Sequence, residues 1–223
     1  MAGEKINYEY ITEYLHQILP ETQGHLKEME DYAIKNGVPI IHKEMKAFLE
    51  ILCKMQKPQK ILELGSAIGY SASCMAFASG KKCRITTVER DSDMTTLAIE
   101  NIKKLGLSEQ IRVIEGDALE VLSCLSSKYD MIFIDAAKGY YNEFFEYAIK
   151  LINDGGLIVS DNVLYKGMTA EDTIVKRRQK TIVGRMREYL LMLCNHEKLS
   201  TSVIPIGDGV AVSIYNERGK EIE

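Results

Sequence analysis

A chain of 223 residues with 46% hydrophobic and 27% charged side chains carries enough apolar material for a sizeable core, in one large domain or two small ones. Its formal net charge of -4 argues against nucleic-acid binding through the whole surface but leaves room for a local basic face. No run approaches ~18 apolar residues, which speaks against a membrane-spanning helix, and residues 1–8 lack an apolar signal core, so the expected location is cytoplasmic. Cys53, Cys74, Cys83, Cys124 and Cys194 form no CxxC pair and read as reduced, mostly buried thiols; with the histidines also scattered, they do not suggest a zinc site.

Residues 1–58 read as a helical segment, because apolar positions recur at helical spacing. Tyr10, Tyr14, Leu15 and Ile18 share one face ahead of Pro20. Met29, Ala33 and Ile34 suggest a second helix that ends near Asn36-Gly37. A third runs from His42 to Met55 with Phe48, Leu49, Leu52 and Cys53 inward. From Lys60 onward strands and helices alternate. The strands are expected at Lys60–Leu64, Arg84–Glu89, Ile111–Glu115, Met131–Asp135 and Gly156–Ser160. The helices between them are expected at Ser71–Ser79, Asp93–Leu105, Ala118–Leu125 and Tyr141–Ile152, with Asn153-Asp154-Gly155-Gly156 as a stop. Near-continuous apolar strands alternating with helices indicate a parallel sheet covered on both faces. Thr201–Ile206 and Gly209–Tyr215 flank Gly207-Asp208-Gly209 as an antiparallel hairpin. The expectation is an α/β, Rossmann-like fold: a seven-stranded, mostly parallel sheet with a C-terminal hairpin. It forms one domain over residues 1–223, with its core in 59–223.

Polar groups stand where the strands end. Gly65-Ser66-Ala67-Ile68-Gly69 follows the first strand, but Ala67 breaks the GxGxxG pattern of dinucleotide sites. Glu63 before the turn would repel a pyrophosphate and suits a cationic ligand. A dehydrogenase reading therefore fits poorly. Glu89 ends the second strand, where a carboxylate can accept both hydroxyls of a ribose. Asp117 after the third can accept from an adenine amino group, with Ala118 leaving room for the ring. A ribose, an adenine and a positive charge together describe S-adenosylmethionine.

Glu63-Leu64-Gly65 through Tyr70-Ser71, then Asp135-Ala136-Ala137-Lys138, then Asp161-Asn162 resemble the motifs of the cation-dependent O-methyltransferases, the caffeoyl-CoA and catechol-type family of class I S-adenosylmethionine fold. The resemblance spans nearly the whole chain. It implies a cofactor lining of Ile41, Gly65, Ser71, Glu89, Asp117, Ala118 and Asp135, and a homodimer. Within the family the chain looks most like the compact bacterial branch that includes the tRNA 5-hydroxyuridine methyltransferases. The common pattern Asp-Ala-Asp-Lys is altered by Ala137, while the metal and lysine positions are kept.

Asp135, Asp161 and Asn162 offer three hard oxygen donors, which selects Mg²⁺, or else Mn²⁺ or Ca²⁺. Taken alone, Asp161-Asn162 reads more readily as a capping turn; Asp135 at the end of the neighbouring strand, with the family pattern, turns the reading to a metal site. The resemblance implies that Lys138, with Asp135, is catalytic, the lysine acting as a general base or as a cation that stabilises an oxyanion; the alternative for Lys138 is an exposed loop lysine. Two adjacent oxygens on the acceptor would suit such a metal. A catechol has them, and so does 5-hydroxyuridine. Between Lys166 and Arg187 stand seven basic residues against two acidic ones, in a basic insertion at about 164–188. Lys176, Arg177, Arg178 and Lys180 in it are expected to contact tRNA phosphates. The alternative is a solvated helix face with Ile182, Met186 and Leu190 inward, in an enzyme for small catechols. Tyr70, Tyr140, Tyr141 and Tyr165 flank the motifs, where an aromatic ring either stacks on a flat acceptor or simply packs in the core, and the sequence singles out none of them.

Overall fold

The computed structural model describes residues 6–219. Its strands are β1 (Lys60–Leu64), β2 (Arg84–Glu89), β3 (Ile111–Glu115), β4 (Tyr129–Ile134), β5 (Ile152–Ser160), β6 (Leu199–Ile204) and β7 (Val210–Tyr215). They form a seven-stranded sheet in the order β3-β2-β1-β4-β5-β7-β6. The parallel pairs include β1 with β2, β2 with β3 and β4 with β5; β7 runs antiparallel to both β5 and β6. The chain divides into two compact units, Tyr14–Leu125 and the remainder, which among the described residues is 6–13 with 126–219.

The first helix, α1 (Glu9–Ile18), fully buries none of its residues; of its shared apolar face Tyr10, Tyr14 and Ile18 are exposed and Leu15 is half-buried. In the unit Tyr14–Leu125 follow α2 (Gly24–Asn36), α3 (Lys43–Gln56), α4 (Tyr70–Ser79), α5 (Ser92–Lys104) and α6 (Ala118–Cys124). Met45, Leu49 and Cys53, four residues apart, form the buried stripe of α3. Phe48 and Leu52, expected inward, are half-buried beside that stripe. In α2, Met29 and Ala33 point inward as expected, whereas Ile34 is 78% exposed. Helix α4 is buried along Tyr70–Ala76, and its Ser73 hydroxyl is satisfied by donating to Gly69 O at 2.7 Å. Asp91 caps α5 by accepting from Met94 N, and Asp117 caps α6 by accepting from Leu119 N and Glu120 N.

The other unit holds β4, α7 (Tyr141–Leu151), β5, α8 (Lys180–Asn195), β6 and β7. Strand β5 begins at Ile152, so Asn153-Asp154-Gly155-Gly156 lies inside the strand as its irregular start; the pairing register with β4 shifts there. Gly207-Asp208-Gly209 joins β6 to β7. Val183, Met186, Tyr189 and Leu193 form the inward stripe of α8, with Ile182 and Leu190 half-buried at its margin. All five cysteines are thiols; Cys53, Cys74 and Cys83 are buried, Cys124 and Cys194 exposed. Burial pushes Cys53 up to about 11 and Cys74 up to about 12. No helix among the described residues is long and apolar enough to cross a membrane.

Candidate active site

The glycine turn after β1 is held from several sides within its own unit. Gly65 (φ +97°), Ala67 (φ +42°) and Gly69 (φ +80°) all adopt left-handed backbone. A Cβ on Gly69 would come within 3.3 Å of the Ala98 Cβ on α5, so glycine is required both by the turn and by the neighbouring helix. Gly65 N donates to Val88 O at 3.0 Å, Ala67 N to Glu89 Oε2 at 2.8 Å, and Asn101 Nδ2 to Ile68 O at 3.0 Å. Ser66 is buried, and its Oγ has no hydrogen-bond partner among the described residues. An orphaned donor inside a strained turn fits a polar ligand group.

The other expected cofactor residues take varied positions. Glu89 is half-buried at the end of β2; its Oε1 accepts from Arg90 N and Asp91 N, so the carboxylate is fixed by backbone amides on both oxygens. Asp117 is exposed, with Oδ1 taking both cap bonds of α6. Ala118 opens α6, half-buried; Ser71 lies buried in the first turn of α4, and Ile41 is buried ahead of α3. Glu63 is fully buried, and its Oε2 accepts from Thr87 Oγ1 at 2.5 Å on the register-paired residue of β2. Its carboxylate faces Thr87 rather than solvent.

In the unit containing 126–219, parallel pairing brings two carboxylates to adjacent strand ends. Ile134 pairs with Ser160, and Asp161 N donates to Ile134 O at 2.9 Å, so Asp135 and Asp161 follow neighbouring strands side by side. Burial first, and then the Asp135 charge, push the Asp161 carboxyl up to about 7, against the Asn162 N–H and the Lys138 charge. Asn162 takes a left-handed φ of +58°, donates N–H to Asp161 Oδ1 at 2.7 Å, and accepts from Lys138 Nζ on Oδ1 at 2.8 Å. Lys138 opens a short 3-10 turn, Lys138–Tyr140, directly before α7. The structure thus brings Asp135, Lys138, Asp161 and Asn162 into one cluster. Among the described residues no three His, Cys, Asp or Glu side chains form a metal-holding group; the candidate set here is two carboxylates and one amide.

Two residues frame this cluster: Tyr141, which packs rather than stacks, and Asp208, whose role the sequence does not signal. Buried Tyr141 donates its hydroxyl to Asp161 O at 2.9 Å and lies 3.3 Å from Ile134 O, bridging both strand ends. Its role as a frame residue excludes stacking on an acceptor. Asp208 of the hairpin accepts from Lys166 N on its side chain and from Leu164 N on its carbonyl, fastening the chain just past Asn162. Tyr70 is buried too, with its hydroxyl donating to Glu30 Oε1; Tyr140 is 48% exposed and Tyr165 half-buried.

The basic segment divides. Lys176, Arg177, Arg178 and Lys180 are exposed around the start of α8, which has no acidic residue in its first turn. Arg185 pairs with Glu143, and Arg187 binds Asp172 together with the carbonyls of Thr169 and Met168. Those two guanidinium groups are structural ties.

The O-methyltransferase family matches residues 16–215. A catechol O-methyltransferase of Niastella koreensis is 30% identical over 93% of this chain and 97% of its own length. The chain belongs to the O-methyltransferase family. A caffeoyl-CoA O-methyltransferase of Populus kitakamiensis is 27% identical, over 92% of each chain. Among solved structures, a Staphylococcus aureus protein named as a candidate caffeoyl-CoA O-methyltransferase is 33% identical, with a TM-score of 0.87 over 93% of this chain and all of that one. A Bacillus cereus O-methyltransferase solved with SAH is 24% identical, with a TM-score of 0.83 over 93% of this chain and 97% of that one, a likeness of fold. The seven-stranded sheet with its antiparallel β5-β7-β6 end is the class I methyltransferase fold expected from the motifs.

Proposed function

We propose that this O-methyltransferase uses S-adenosylmethionine and a divalent cation to methylate one of two adjacent oxygens on a small catechol-type acceptor. The cluster of Asp135, Asp161, Asn162 and Lys138 carries the reading. Two neighbouring carboxylates, one buried, repel each other, and a divalent cation relieves that repulsion. Asp135, Asp161 and Asn162 would hold it through hard oxygens, a set that suits Mg²⁺. S-adenosylmethionine would be held at the glycine turn, where buried Ser66 Oγ is an available donor and Glu89 and Asp117 are fixed acceptors.

When bound, the cation supplies Lewis acidity to the acceptor's oxygens and the cofactor supplies an electrophilic methyl. The chain's own groups do the rest. Lys138 Nζ, on Asn162 Oδ1, is placed to take the acceptor's hydroxyl proton as a base or to offset the oxyanion as a cation. Tyr141 fixes the backbone of Asp161, and the hairpin contacts of Asp208 fix the segment after Asn162.

The acceptor class is supported by relatives named for catechol and caffeoyl-CoA methylation. A second reading, methylation of 5-hydroxyuridine at the tRNA wobble position, is favoured by one observation. Four exposed cations cluster at the start of α8, where the helix dipole disfavours positive charge and a phosphate would offset it. The test is a competition between caffeate and 5-hydroxyuridine tRNA for labelled methyl, with wild type and with Lys176, Arg177 and Arg178 all changed to Ala. Label in caffeate, unaffected by the triple change, supports the first reading. Label in tRNA that falls with the triple change, more steeply as salt rises, replaces it with the second.

A further inference from the structure

We infer that His25 and Asn101 are positioning residues for the glycine turn and, through it, for the methyl donor; this rests on the reading that the turn holds S-adenosylmethionine. Neither residue belongs to the motifs, and both lie outside the carboxylate cluster.

The hydrogen-bond directions follow from one another. Asn101 Nδ2 donates to Ile68 O at 3.0 Å, which fixes the orientation of the amide. Its Oδ1 then faces His25 Nε2 at 2.9 Å, so that nitrogen must donate. His25 Nδ1 lies 2.6 Å from Glu28 Oε2, which anchors the far side of the ring on α2. A polar chain therefore runs from Glu28 and His25 on α2, through Asn101 on α5, to the carbonyl of Ile68 inside the turn.

Water cannot take Asn101's place at that carbonyl without movement. Ile68 is fully buried and stands between Ala67 and Gly69, both left-handed. An acceptor left bare in such a place drives the backbone to find another partner. Opposite constraints act on the same five residues: Glu89 Oε2 holds Ala67 N, and Ala98, one helical turn before Asn101, presses against Gly69. Helix α2 supplies a second strut one turn further on, where Glu30 accepts from the Tyr70 hydroxyl. The two struts reach Ile68 and Tyr70, on either side of Gly69. Helix α2, which contributes nothing to the sheet, thus clamps both flanks of the residue at the centre of the proposed donor site.

The test is the dissociation constant of S-adenosylmethionine, by calorimetry, for wild type, His25→Ala, His25→Gln and Asn101→Asp, with melting curves of each ligand-free protein. His25→Ala removes the donor to Asn101 and should weaken binding about 3- to 10-fold, the worth of one hydrogen bond. His25→Gln places an amide N–H near the former Nε2 and should restore binding to within about 2-fold. Asn101→Asp keeps an acceptor for His25 but cannot donate to Ile68, so it should lose at least as much as His25→Ala. In turnover, KM for the donor should rise while kcat at saturating donor stays within about 2-fold. The inference is overturned if His25→Ala binds like wild type, if His25→Gln is as weak as His25→Ala, or if kcat falls with KM unchanged. If Asn101→Asp does not fold, the His25 pair decides alone. Wild type that fails to bind S-adenosylmethionine at all overturns the donor-site reading itself, a result distinct from unequal variants of a protein that binds.

Discussion

Gly209→Ala tests how the hairpin supports the carboxylate cluster. Gly209 has φ +84°, and a Cβ there would lie 2.3 Å from Leu164 Cγ and 2.7 Å from Leu164 Cβ and Cδ1. Turning the leucine side chain cannot clear its own Cβ. Nor can the backbone withdraw freely, because Val163 N is bonded to Gly209 O at 2.9 Å and Leu164 N to Asp208 O at 3.0 Å. The left-handed backbone costs an alanine about 1–2 kcal/mol, and forced overpacking adds about 1–3 kcal/mol. The expected loss is therefore about 2–5 kcal/mol. Gly37→Ala is the control: φ is +65°, but nothing lies within 4 Å of its Cβ, so only the backbone cost applies. Urea unfolding of both variants separates the two effects. Since Leu164 is two residues beyond Asn162, Gly209→Ala should also raise the Mg²⁺ concentration needed for half-maximal turnover several-fold, and Gly37→Ala should not. A Gly209→Ala protein within about 0.5 kcal/mol of Gly37→Ala, with unchanged Mg²⁺ dependence, would refute the reasoning.

Three further outcomes are expected around the cluster. Lys138→Met should lower kcat by about 10²–10⁴ while leaving the calorimetric affinity for S-adenosylmethionine unchanged; Lys138→Arg retains substantial kcat only if the lysine acts as a cation rather than a base. Asp161→Asn removes a buried carboxylate that repels Asp135, so the metal-free variant should melt higher than wild type at pH 8 yet lose metal-dependent turnover. Tyr141→Phe strips the donor from Asp161 O and should cost about 1–3 kcal/mol in urea unfolding, with weaker Mg²⁺ activation.

The strand ends and their polar residues were legible because each depends on a short local pattern. Lys60–Leu64, Arg84–Glu89 and Ile111–Glu115 are apolar runs bounded by turns, and the structure has strands over those residues. Asp135 and Asp161-Asn162 could be paired in advance because parallel neighbours end together. Interactions between distant residues were not legible. Nothing near Glu63 announces that Thr87 receives its carboxylate inside the sheet, nor does the run of basic residues say that Glu143 and Asp172 claim Arg185 and Arg187. His25 and Asn101 are 76 positions apart, and neither has a motif around it. Their signal exists only once α2 and α5 are packed. The buried face of α3 was turned by one position for a similar reason: Phe48 and Leu52 satisfy helical spacing as well as Met45 does, and only tertiary packing chooses.

The most direct test of the account is transfer of labelled methyl from S-adenosylmethionine to caffeate or 5-hydroxyuridine tRNA, whichever is the acceptor, with Mg²⁺, with EDTA, and with Mg²⁺ restored after EDTA. The account predicts labelled ether product with Mg²⁺, none with EDTA, and recovery on restoring the ion. Equal transfer in EDTA would contradict it, because Asp135, Asp161 and Asn162 would then have no cation to hold.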